Sequence, residues 1–235
     1  MSVERRIAAE WRQAKEYALQ KKLWWPDFRQ FGSLELSGGH EHELRLAPDE
    51  KTVYKCNNLQ NVKGLISGLL DKLRLHQAIF PETAYRLMGF TEEKHGQLEA
   101  ILKQDYFPGL VKAEAEEIED FMLRAGFKLT SPQSFVNQFY LIYDLYPRNV
   151  LKDQSGNLFV VDAEFKELNQ LETAPLDTAQ LANYCNELTN VTATSSHNEV
   201  LRLNSLKVKA YYQNINSTPI NWTLEREQQK LNARD

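Results

Sequence analysis

An α+β fold in two lobes is what this 235-residue sequence predicts, and three observations carry the expectation. Short alternating segments crowd residues 33–56, as β-strands do. Two longer stretches, Asn61–Phe80 and Ala113–Ala125, repeat apolar residues at helical spacing. A break near Gln104–Leu110 separates strand-rich sequence with one helix from helix-rich sequence holding a small hairpin. The expected spans are an N-terminal helical extension over 1–26, a first lobe over 27–107, a reduced second lobe over 108–215 and a polar tail over 216–235.

Taken in order, Met1–Lys22 reads as a helix because Ile7, Trp11, Ala14 and Ala18 recur at helical spacing among charged residues. Pro26 ends it, since proline disfavours helical geometry in the residue before it. Ser33–Leu36 and Glu43–Leu46 alternate around the small-residue break Ser37-Gly38-Gly39, and Thr52–Cys56 is a third strand. Val62, Leu65, Ile66, Leu69, Leu70, Leu73 and Ile79 form the apolar stripe of the next helix, which Pro81 stops. Tyr85–Phe90 and Leu98–Lys103 are strands, and Ala113–Ala125 is a helix with Gly126 at its C-terminal end. Phe139–Tyr143, Val150-Leu151 and Leu158–Val161 are strands, the last two flanking the turn Asp153–Asn157. Beyond Asp162 the pattern weakens into two expected helices, near Thr178–Glu187 and Asn198–Gln213.

Composition narrows the function. Twenty-eight Lys and Arg against 32 Asp and Glu give a net charge of −4, not the basic field of a dedicated nucleic-acid binder. No run reaches the roughly 20 apolar residues of a membrane span. Met1–Lys22 is charged throughout, so no signal peptide is expected there. Cys56 and Cys185 stand far apart, without metal-ligand spacing, and a cytoplasmic setting is the default. His40 and His42 share one strand face, but no third metal ligand accompanies them.

One constellation carries chemistry. Asp144 follows an apolar strand, Asn149 stands five residues later, and Asp162 closes another apolar strand thirteen residues beyond. The intervening hairpin can fold the second acid back beside the amide, so that three oxygen-bearing side chains converge. Such a cluster suits Mg²⁺ and phosphate, because Mg²⁺ takes hard oxygen ligands and needs only one or two from carboxylates.

The spacing Asp-x4-Asn-x12-Asp resembles the catalytic loop and metal-binding aspartate of protein kinases and aminoglycoside phosphotransferases. More narrowly, the chain is similar to the polyvalent protein kinase domains of bacterial mobile elements. The residues carrying this closer likeness are Gly38-Gly39-His40-Glu41-His42, Val53-Tyr54-Lys55, Phe80–Tyr85, Leu87–Phe90, Lys103-Gln104 and Asp144–Val150. The resemblance implies a reduced bilobal protein-kinase-like fold. Its N-lobe would be a small antiparallel sheet with one helix, and its C-lobe short and mostly helical.

It also implies roles. Asp144 would be the catalytic base, or would orient the acceptor hydroxyl, while Asn149 and Asp162 would hold Mg²⁺. Lys55 would contact the nucleotide phosphates. Its acidic partner would be Asp71, sixteen residues on, or Glu41. Gly38 and Gly39 would stand in for the glycine-rich loop, and Lys103-Gln104 would lie in the hinge that meets adenine. The sequence departs from the kinase pattern in four places. Ile142-Tyr143 replaces His-Arg, Ala163-Glu164 replaces Phe-Gly, the following helix offers an aspartate where a glutamate is usual, and G-x-G-x-x-G is missing. The expected function is therefore an ATP- and Mg²⁺-dependent phosphotransferase acting on an unidentified hydroxyl acceptor. The alternative is a nucleotide-binding pseudokinase or interaction module without catalysis.

Overall fold

The computed structural model describes residues 2–32, 34–36, 42–93 and 96–168, together with Ala179 and Ala182. The chain combines helices with small antiparallel sheets and forms two compact units, one holding residues 2–109 and the other 110–168. The helices expected over 178–187 and 198–213, and the polar tail, lie outside the described residues apart from those two alanines.

In the first unit, β1 (Leu34–Leu36), β2 (His42–Leu46), β3 (Thr52–Asn57), β4 (Arg86–Glu92) and β5 (Leu98–Asp105) form an antiparallel sheet in the order β1-β2-β3-β5-β4. Helix α2 (Ile66–Ile79) joins β3 to β4. Its apolar stripe packs Ile66, Leu69, Leu70 and Leu73 onto Leu87, Ala100 and Leu102 of the sheet. The helix begins later than the periodicity predicts. An Asx turn from the Asn57 carboxamide to Leu59 N–H, and left-handed Leu59, Lys63 and Gly64, hold the preceding residues in turns.

Helix α1 (Val3–Lys21) lies against α2, and one carboxylate ties them together. No side chain caps α2 locally at Leu65. Glu10 does so from 57 residues away, 2% exposed, accepting from Ser67 N–H and Ser67 Oγ, each at 2.9 Å. An anion there satisfies an orphan helix N–H and meets the positive end of the helix dipole. Arg6 Nε, 3.0 Å away, compensates its charge.

From α1 the chain crosses the sheet edge to the opposite face. Trp25 N–H donates to Phe90 O, and Phe90 N–H to Leu23 O, each at 2.9 Å, beside a β-bulge between Leu87 and Gly89. Only glycine fits at 89, where φ is +138° and a Cβ would stand 1.9 Å from Leu23 O. Beyond the crossing, Trp25, Phe28 and Phe31 cover Tyr54, Cys56 and Ile101, with the Trp25 and Phe31 rings edge-on at 4.9 Å. The sheet is thus covered on both faces.

In the second unit, α3 (Ala115–Arg124) is the one helix among residues 110–168. It begins with Glu117 reaching back to Glu114 N–H at 2.8 Å, and Gly126 follows its end at φ +89°. Strands β6 (Val111–Lys112), β10 (Val150–Lys152) and β11 (Leu158–Val160) form one sheet, in the order β11-β10-β6. Strands β7 (Lys128–Ser131), β8 (Ser134–Val136), β9 (Tyr140–Tyr143) and β12 (Glu164–Glu167) form another, in the order β12-β9-β8-β7. The described part of this unit is strand-rich, and the helices expected beyond Asp162 fall outside it. Neither β7, exposed along its length, nor the four-residue β12 has the apolar alternation that announces a strand.

Three substitutions test this architecture. Gly89→Ala forces a Cβ onto backbone at a left-handed residue and should cost about 3 kcal/mol or more, whereas Gly126→Ala, with open space around it, should cost about 1 kcal/mol. Glu10→Ala leaves the Ser67 amide without its acceptor and takes the carboxylate from beside Arg6, and should cost about 3 kcal/mol. Urea denaturation followed by tryptophan fluorescence reads the Gly89 and Glu10 variants, since Trp11, Trp24 and Trp25 lie in the first unit, and circular dichroism reads Gly126→Ala in the second.

Candidate functional site

In the second unit, β9 runs between β8 and β12, with Ile142 opposite both Phe135 and Phe165. Buried Ile142 anchors the strand, which ends at Tyr143. The backbone then turns at Asp144, whose φ of +64° is left-handed and uncommon for a residue with a Cβ. Leu145 points inward, fully buried, and its N–H donates to Gln133 O at 3.2 Å. Tyr146 N–H returns to Asp144 O at 2.9 Å, and Asn149 N–H to Tyr146 O at 2.8 Å.

Asn149 closes the loop. Its Nδ2 donates to the Asp144 carbonyl at 2.8 Å and to Asp144 Oδ2 at 2.7 Å. This turns the amide oxygen away from Asp144. The main-chain carbonyl of Asn149 accepts from Val161 N–H at 2.9 Å and Asp162 N–H at 3.4 Å. That contact exists because β10 and β11 pair Val150 with Val160 across the Asp153–Asn157 turn, where Asp153 Oδ1 takes the Ser155 and Asn157 N–H groups. Glu164 then opens β12 directly opposite Tyr143. The chain therefore leaves β9 just before Asp144 and rejoins it just after Asp162, so Asp144, Asn149 and Asp162 belong to one closed loop.

Arg148 is a further member that the spacing does not single out. Its Nη2 donates to Asp144 Oδ1 at 3.1 Å while its guanidinium covers the Tyr146 ring at 4.2 Å. The pair is open to solvent, with Asp144 35% and Arg148 59% exposed, so it orients more than it stabilises. Among the described residues, no three His, Cys, Asp or Glu are grouped to hold a metal ion. One carboxylate, Asp162, and one amide oxygen, Asn149, still fit Mg²⁺, which completes its shell with phosphate oxygens and water.

In the first unit, Lys55 occupies the middle of β3, opposite Leu44 and Leu102, and is 7% exposed. Its Nζ donates to Tyr85 Oη and lies 4.5 Å from the Tyr85 ring centre. Asp71 lies on α2, 4.0 Å from Arg74. Gly38, Gly39 and Glu41 lie outside the described residues. Lys103 and Gln104 sit within β5 rather than in a connecting hinge: Lys103 is opposite Tyr54 and Arg86, and Gln104 opposite Val53. The buried Gln104 side chain donates to Thr83 O at 2.7 Å. Eight residues of strand pairing run further than the apolar pattern of Leu98–Lys103 suggests.

Cys56 faces away from Lys55. Burial pushes its thiol far up, and Glu99, which accepts from Sγ at 3.3 Å, adds to the shift. Burial raises the Glu99 carboxyl as well. This cysteine is therefore a packed thiol and not a nucleophile.

The family model described as a serine/threonine/tyrosine kinase found in polyvalent proteins matches residues 8–169, well over half of the chain. It spans most of α1 and runs past the end of β12. No curated protein and no solved structure matches.

The left-handed geometry of Asp144 has a measurable consequence. Asp144→Gly relieves the backbone and Asp144→Ala does not, so the glycine variant should be the more stable of the two by about 1 kcal/mol. Chemical denaturation of the pair measures it.

Proposed function

Because the chain belongs to the serine/threonine/tyrosine kinase family found in polyvalent proteins, we propose that it is an ATP- and Mg²⁺-dependent phosphotransferase acting on a hydroxyl-bearing acceptor. The observation that carries this reading is the double hydrogen bond from Asn149 Nδ2 to Asp144, with the Asn149 carbonyl bonded in turn to the Asp162 amide. A loop built only as a turn needs no such closure through an asparagine side chain.

In this proposal the two units are the lobes of a kinase-like fold, and each residue has one task. Asp144 accepts the proton of the acceptor hydroxyl as that oxygen attacks the γ-phosphorus. The bond from phosphorus to the β–γ bridging oxygen breaks, and ADP leaves. Asn149 and Asp162 would hold Mg²⁺, which would supply neutralisation of phosphate charge. Lys55 meets the nucleotide phosphates from β3. Catalysis of this kind is chiefly positioning and electrostatic stabilisation. The Tyr106 N–H still donates to Lys51 O at 2.8 Å, so the backbone that would meet adenine is the stretch beyond it.

One observation favours the second reading, a nucleotide-binding pseudokinase or interaction module. Asp144 Oδ1 accepts from Arg148 and Oδ2 from Asn149, so two of the carboxylate's roughly four acceptor sites are already taken before an acceptor hydroxyl arrives. Turnover separates the two readings.

With ATP and Mg²⁺, the wild type should melt at higher temperature than without them, because a ligand that binds only the folded state stabilises it. Asp162→Asn should lose that rise, melt like the wild type when no ligand is present, and lose phosphoryl transfer or ATP hydrolysis by about 100-fold or more. Normal turnover in the variant, or no rise for the wild type at millimolar ATP, would sink the assignment. A rise without any turnover selects the pseudokinase.

A further inference from the structure

We propose that the cavity between α3 and the β7–β8 hairpin is a binding site for a small organic cation, an amine carried on an apolar body. The cavity measures about 330 Å³, and the residues that line it all belong to the second unit. That size falls at the lower end of the range in which proteins take small ligands. Binding there does not depend on phosphoryl transfer.

The cavity exists because the hairpin is short and bent. Strands β7 and β8 pair with a register shift between Leu129 and Ser131, and an irregularity of this kind bends a strand. Thr130 Oγ1 donates to Ser134 O at 3.2 Å across the bend, and Gln133 turns the chain at a left-handed φ of +59°. Ile118 of α3, Phe135 of β8 and Leu145 give the cavity a buried apolar lining, and Leu129 adds an exposed one. Such a lining favours a ligand with an apolar body.

Charge selects among apolar ligands. The Glu119 carboxylate and the Gln133 amide line the same cavity, each on a half-buried residue. Among the described residues, neither side chain has a hydrogen-bond or ion-pair partner. An ammonium supplies a positive charge to the carboxylate and donors to both oxygens. An anion would meet Glu119 as a like charge.

Leu145 connects the cavity to the loop that carries Asp144. It follows Asp144 directly, lines the cavity, and donates its N–H to Gln133 O at 3.2 Å. An occupant therefore registers at the Leu145 amide as well as at the hairpin.

Phenethylamine and its neutral counterpart, phenethyl alcohol, are the probes, each titrated into the isotopically labelled full chain and followed by amide NMR. The amine should move the signals of Ile118, Leu129, Gln133 and Leu145 with a Kd on the order of a millimolar, and the alcohol should bind about tenfold more weakly. Glu119→Gln should lower the affinity for the amine about tenfold and leave that for the alcohol unchanged. Glu116→Gln, at an exposed position of α3 outside the cavity, should change neither. No movement of these amides at tens of millimolar amine, equal affinity for amine and alcohol, an unchanged amine affinity in Glu119→Gln, or an equal loss in both variants would each overturn the proposal.

Discussion

A sheet covered on both faces governs the first unit. Its central strands, β3 and β5, have α2 on one side and the Trp25–Phe31 segment on the other, so every polar side chain they carry needs a partner inside the protein. That requirement accounts for Lys55 on Tyr85, Gln104 on Thr83 and the Cys56 thiol on Glu99. It also gives the N-terminal residues their place. Helix α1 supplies Glu10 to the start of α2, and the chain after it supplies the aromatic cover, so the cover and the cap arrive on one continuous segment.

The second unit solves a different problem, holding polar side chains together near solvent. It uses backbone closure more than burial. Asp144 and Asp162 are fixed because both hydrogen-bond to Asn149, one through its side chain and the other through its carbonyl. The left-handed turn at Asp144 is part of that closure. Lys152 braces the start of α3 by pairing with Glu117, which draws the Glu117 carboxyl below its usual range chiefly through that hydrogen bond.

Much of the secondary structure was legible in the residues. The helical stripe from Ile66 to Leu73 and the strand at Thr52–Cys56 announce themselves through period, and each element formed close to where its pattern lies. The loop from Asp144 to Asp162 was legible through the spacing of three polar residues between apolar strands. The β7–β8 hairpin and β12 were not, because an edge strand exposed on both sides has no apolar face to repeat, and β12 is four residues of mixed character. That Tyr85 would meet Lys55 was not legible either. In an apolar stretch a tyrosine reads as core, and core it is, with its hydroxyl accepting from Lys55.

What the sequence determined by itself was local: which segments could be strand or helix, where turns interrupt them, and the order in which Lys55, Asp144, Asn149 and Asp162 occur. These follow from steric and hydrophobic preferences that act over a few residues. Only the tertiary structure decided the partners. Glu10 meets Ser67 across 57 residues, Lys55 meets Tyr85 across 30, and Gly89 admits the backbone of Leu23 from an earlier part of the chain. Periodicity encodes which face of an element is buried, not which distant polar group will share that burial. That choice is made by packing, when a charge excluded from water must find a donor or acceptor within about 3 Å.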